Sequence, residues 1–112
     1  MTRLGAALLG VALMATGALA QSSQLERARF LLAVGDPEPA LAILEALPET
    51  PAVVQGRAQA HLMIASQRPP GWACEHLRRA IDLGSLASAG GIVEFARKRF
   101  QDDGCQISQP GS

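Results

Sequence analysis

The sequence predicts an all-α fold, an array of antiparallel helical hairpins, on three observations. Apolar residues recur at three- and four-residue steps in five stretches, no stretch alternates apolar and polar residues as a strand would, and proline or glycine separates most neighbouring stretches. Gly35 to Pro48, reading GDPEPALAILEALP, is the most informative segment because it holds a helix stop, a helix start and a complete apolar face. Gly35 can close the preceding helix in the left-handed conformation. Asp36 can accept from the orphan amides as N-cap, and Pro37 suits the first helical position, where no donor is missed. Ala40, Leu41, Ile43, Leu44 and Leu47 then form one wide stripe that ends before Pro48.

The first twenty of the 112 residues read as a targeting segment. Met1-Thr2-Arg3 is a short positive start, Leu4 to Gly17 carries no charge, and Ala18-Leu19-Ala20 is the small-x-small pattern of signal peptidase. Its apolar run of about 14 to 17 residues is shorter than the roughly 20 that span a bilayer. The expectation is a signal peptide over 1–20, cleaved after Ala20, with no stable membrane anchor remaining. The protein would then be exported, periplasmic in a Gram-negative cell and otherwise secreted.

The helical domain is expected over 21–105. A first helix covers 21–34 with Leu25, Ala28, Leu31 and Leu32 in step and Ser22 or Ser23 as cap; a second covers 37–47. Thr50 and Pro51 start a third over 51–66, whose stripe is Val54, Ala58, His61, Leu62 and Ala65, with Gln55, Arg57 and Gln59 turned away. Gln67 to Gly71 is a loop. The fourth helix runs from near Trp72 to Leu83, with Ala73, Leu77, Ala80, Ile81 and Gly84 on its apolar side. Ser85 to Gly91 reads as a turn, and a fifth helix over about 91–101 ends at Asp102-Asp103-Gly104. Residues 106–112 are polar, contain Pro110 and Gly111, and are expected to be a disordered tail.

Formal charge is zero, and without Arg3 nine basic side chains face ten acidic ones. Such a surface does not suit nucleic acid, which draws on clustered Lys and Arg. The one basic run, Arg97-Lys98-Arg99, reads as the solvated last turn of a helix. Cys74 and Cys105 are the only cysteines, and an even pair in a small exported chain reads as one disulfide. Closing a loop of about 30 residues would contribute on the order of 3 to 4 kcal/mol.

No residue is assigned a catalytic role. Serines 85 and 88 lie in no nucleophile elbow, and the carboxylates Glu26, Glu45, Glu49 and Asp82 sit at cap and surface spacings. The set Cys74, Glu75, His76, His61 and Cys105 supplies metal-ligand types but matches no C-x-x-C or H-x-x-x-H spacing. No metal or cofactor is therefore expected, with His61 at a core edge and His76 on a solvated face.

Ala40-Leu41-x-x-Leu44-x-x-Leu47 overlays Ala73-Cys74-x-x-Leu77-x-x-Ala80 at a shift of 33 residues. With the turn Gly35-Asp36-Pro37-Glu38-Pro39-Ala40-Leu41, Ala28, Leu31 and Pro51, this resembles the tetratricopeptide-repeat (TPR) family. The second unit departs from that pattern at Pro69-Pro70-Gly71, which lengthens its loop, and at His61, where an apolar residue is more usual. The resemblance implies a TPR-like array of about two repeats closed by a C-terminal capping helix; a generic five-helix bundle is the alternative. It also implies a protein-protein interaction module whose first helices line a groove for a peptide or partner protein. The groove positions would be Leu25, Arg29 and Leu32, then Gln55, Gln59 and Leu62. The competing expectation is a structural or self-associating envelope subunit, a homo-oligomer without a peptide groove.

Overall fold

The computed structural model describes residues 19–106. Residues 19–33 are helical (α1), followed by α2 (Pro37–Glu45), α3 (Pro51–Ser66), α4 (Cys74–Leu86) and α5 (Gly90–Asp102). Among the described residues there is no strand, so the chain is all-α. The expected signal peptide falls mainly on residues 1–18 and the expected tail on 107–112, both outside the described residues.

The helix ends follow local chemistry. At the close of α1 the Asp36 amide donates to Leu31 O at 2.8 Å and the Gly35 amide to Leu32 O at 3.1 Å, with Gly35 at φ +82°. This is the paired closure that a left-handed residue permits. It also corrects the expected Asp36 cap. The Asp36 amide is committed to α1 and its backbone lies outside the extended region, so its carboxylate makes no capping bond. Ser22 and Ser23 are not caps either, since Leu19 and Ala20 are already helical. Thr50 behaves as expected: its Oγ1 accepts from the Val53 amide at 3.2 Å, ahead of Pro51.

Helix α4 begins at Cys74, two residues later than expected, because the Trp72 amide donates to Pro69 O at 3.1 Å and closes a turn first. Helix α2 stops at Glu45, two residues short of the expected 47. Helix α4 runs on to Leu86 and ends in the same closure as α1, but with Ser88 at φ 55°. There the Ala89 amide reaches Gly84 O at 2.8 Å. Helix α5 ends likewise at Gly104, with the Cys105 amide on Phe100 O at 3.0 Å.

Helix α3 is central, packing against α2 on one side and α4 on the other, and α5 packs on α4. Gln67 at the end of α3 donates to Gly35 O at 3.0 Å, beside the start of α2, so α2 and α3 are antiparallel. One core cluster joins Ala28 and Leu32 of α1, Ala40 and Leu44 of α2, and Val53 and Ala60 of α3. A second joins Ala65, Ala73, Leu77, Ala80, Ala96 and Phe100. The buried set on α3 is Val53, Ala58, Ala60, Ile64 and Ala65, not one stripe, because a helix flanked on both sides buries two faces. Gly84 admits α5: a Cβ there would lie 2.9 Å from Val93 Cγ2, inside contact distance.

Two arginines close helices that lack a left-handed stop. The residue capping the C-terminus of α2, Ala46, stays in the right-handed helical region. Arg57 of α3 covers that end: Nε and Nη2 donate to Leu44 O at 3.0 and 2.9 Å, Nη2 donates to Leu47 O at 3.0 Å, and Nη1 meets Glu49 at 3.1 Å. Its side chain is 12% exposed, so Arg57 is not the outward residue that periodicity suggested. Arg99 of α5 treats α3 the same way, with Nη2 donating to Ala65 O at 3.2 Å and Arg68 O at 3.1 Å while Asp103 holds Nε at 3.1 Å. Of the basic run, Arg97 and Lys98 are exposed and Arg99 is not.

Cys74 and Cys105 form the expected disulfide, with Cα atoms 5.6 Å apart. The bond joins the first residue of α4 to Cys105 just past the end of α5, which requires the two helices to be antiparallel.

Arg57→Met should lower the free energy of unfolding in a urea titration by about 2 kcal/mol, since charged hydrogen bonds are lost and buried carbonyls are stranded. Ser88→Gly should do the opposite, adding about 1 kcal/mol because glycine carries no left-handed penalty, and differential scanning calorimetry should show a higher midpoint.

Candidate functional site

Leu25, Arg29 and Leu32 occupy one face of α1 at steps of four and three, and Gln55 and Gln59 lie four apart on α3. The packing of α1 against α3 brings all five into one groove, which encloses about 110 Å³ and is also lined by Leu44, Ala52 and Gly56. Leu32 and Leu44 are buried and form its floor. Arg29, Gln55 and Gln59 are exposed and form its rim. The floor offers apolar surface, and the rim offers one fixed cation and two amides that can each donate and accept.

Leu62, the sixth expected position, is not in the groove. It packs against the second core cluster, around Ala65, Ala73 and Leu77. A leucine one turn beyond Gln59 can be covered there, which removes more apolar surface from water than an open groove would.

The expected groove set did not include Leu44, Ala52 or Gly56. Gly56 had a signal, since glycine inside a helix costs about 1 kcal/mol relative to alanine and tends to have a packing reason. Here a Cβ at position 56 would stand 3.2 Å from both methyls of Leu44, so glycine lets the α3 backbone approach the groove floor. A second depression of about 260 Å³ adjoins through Leu25 and is lined by Gln21, Ser22, Leu47, Pro48, Thr50 and Val53.

On the α3–α4 side, His61 Nδ1 and His76 Nδ1 are 2.9 Å apart, and the ring centroids are separated by 5.1 Å. One nitrogen must donate and the other accept, so at least the accepting imidazole is neutral. His61 fits its expected core-edge position, whereas His76 is half-buried and paired, not solvated. Folding has turned the first turn of α4 toward α3. Burial, then His76, then Arg79 push the His61 pKa down to about 4, against the opposing pull of Glu75. His76 is also lowered, by burial first and Arg68 second, with Glu38 and Glu75 opposing.

Cys74 and Cys105 carry no free thiol. Among the described residues, no group of three or more His, Cys, Asp or Glu is placed to hold a metal ion, and no helix is long and apolar enough to cross a membrane.

The unfolded chain binds a proton at His61 below about 6.5, whereas the folded chain resists it until about 4. Stability should therefore be full above that window and decline as pH falls through it. Urea titrations across pH 7 to 4 should show this decline, and His61→Gln should flatten it.

No protein-family model, curated protein or solved structure matches this chain.

Proposed function

We propose that this chain is an exported, TPR-like interaction module that binds a peptide or partner protein in the groove between α1 and α3. The observation carrying this reading is the convergence of Leu25, Arg29, Leu32, Gln55 and Gln59, from two separate helices, on one groove. Pockets for small organic ligands typically enclose about 300 to 1,000 Å³. At about 110 Å³ this groove suits a single anchoring side chain of a larger partner, with the rim holding the adjacent backbone. The burial pattern supports the repeat reading. Ala40 and Ala73, 33 residues apart, are both buried, and Leu44 and Leu77 at the same spacing are the most enclosed leucines among the described residues. The disulfide is compatible with an oxidising, extracytoplasmic location.

The second reading, a self-associating envelope subunit, draws on a different surface. Trp72 is 78% exposed, Leu86 77% and Phe95 58%, all on or beside the last hairpin. Exposed apolar side chains on the last hairpin are what a repeat array leaves where stacking stops.

Co-purification from the native envelope separates the two readings. An Arg29→Ala, Gln59→Ala double variant should lose the co-purified partner while its thermal midpoint stays within about 2 °C of the parent, as expected for surface substitutions. Loss of folding would mark these residues as structural. A tight dimer in sedimentation, broken by Trp72→Ser, would favour self-assembly over the groove.

A further inference from the structure

We propose that His61 and His76 form a two-imidazole site for a single divalent transition-metal ion of the Cu2+ class. The site is separate from the α1–α3 groove and independent of the reading given to it.

The geometry comes first. Two nitrogens each about 2.0 to 2.1 Å from one ion, at the roughly 90 to 110° angles of tetragonal or tetrahedral coordination, stand about 2.8 to 3.4 Å apart. The Nδ1 atoms of His61 and His76 are 2.9 Å apart, at the tetragonal end of that range. Tetragonal nitrogen and oxygen donor sets favour Cu2+, which also leads the divalent affinity order.

The two ligands come from different helices, and the packing of α3 on α4 holds them together. His61 lies in the third turn of α3 and His76 in the first turn of α4. The second core cluster joins the same two helices through Ala65, Ala73 and Leu77. Both histidines remain partly exposed, so an ion can enter and water can fill its other positions.

Ion binding requires the shared Nδ1 proton to move to Nε2 of the same ring, leaving both Nδ1 lone pairs on the ion. No proton is released overall, because both rings start neutral and end neutral. Arg68 and Arg79 disfavour positive charge at the two rings, and the carboxylates of Glu38 and Glu75 offset part of that. Arg68 is held by Glu38 at 3.6 Å, and Arg79 is held by Glu75 at 3.6 Å. With Cys74 and Cys105 bonded to each other, no thiolate competes for the metal.

The test is a Cu2+ titration of the disulfide-bonded protein at neutral pH, followed by calorimetry and by electron paramagnetic resonance. The expected result is one equivalent bound, with a spectrum showing two equatorial imidazole nitrogens. His61→Gln and His76→Gln should each weaken binding by more than about tenfold, which corresponds to 1.4 kcal/mol. Far-ultraviolet circular dichroism checks that each variant keeps its helices. Equal affinity in parent and variants would overturn the proposal by placing the ion elsewhere. The spectrum of the parent alone also decides the matter if a variant unfolds: one imidazole nitrogen or none would overturn the site.

Discussion

The structure depends on how its helix ends are closed, because each α-helix leaves its last carbonyls without an internal partner. Three ends, after α1, α4 and α5, are closed by a residue in the left-handed region. Those of α2 and α3 are not, and a guanidinium from a neighbouring helix reaches across to close them. Arg57 ties α3 to the end of α2, and Arg99 ties α5 to the end of α3. These contacts join consecutive layers of the array and set how far each helix advances along its neighbour. The planar fork of arginine suits the task, since it can meet two carbonyls and a carboxylate at once.

Placing α3 in the middle has a functional consequence. It must bury one face toward α1 and α2 and another toward α4, so its sequence cannot be strongly amphipathic. Small residues carry much of that double burial: Ala58, Ala60 and Ala65 are fully enclosed, and Gly56 brings the backbone to the groove floor. What remains on the exposed strip is Gln55 and Gln59, which line the groove together with Arg29 of α1. The opposite edge of the same helix carries His61 to His76. A single central helix thus positions both candidate sites, the groove toward α1 and the imidazole pair toward α4.

The disulfide sits at the far end of this arrangement. It fastens the last helix to the start of the fourth, beside Ala73 and Phe100, where the second core cluster would otherwise open to water. A chain this small buries a limited fraction of its surface, so a covalent tie at the terminal layer supplies order that the core alone would supply weakly.

By itself the sequence determined the local structure: the helix class, the closure at Gly35, the cap at Thr50, the stop at Gly104 and the pairing of the only two cysteines. These depend on neighbours a few residues away, and backbone sterics and side-chain reach decide them. Five residues that line the groove were pointed to by the resemblance to tetratricopeptide repeats, not by periodicity alone. Only the tertiary structure decided the rest. Arg57 and Arg99 became caps through contacts 13 and 34 residues distant, Leu62 left the groove for the second core, and His61 met His76 across two helices. Periodicity reports which face of a helix a residue occupies, but which neighbour covers that face is set by packing between helices.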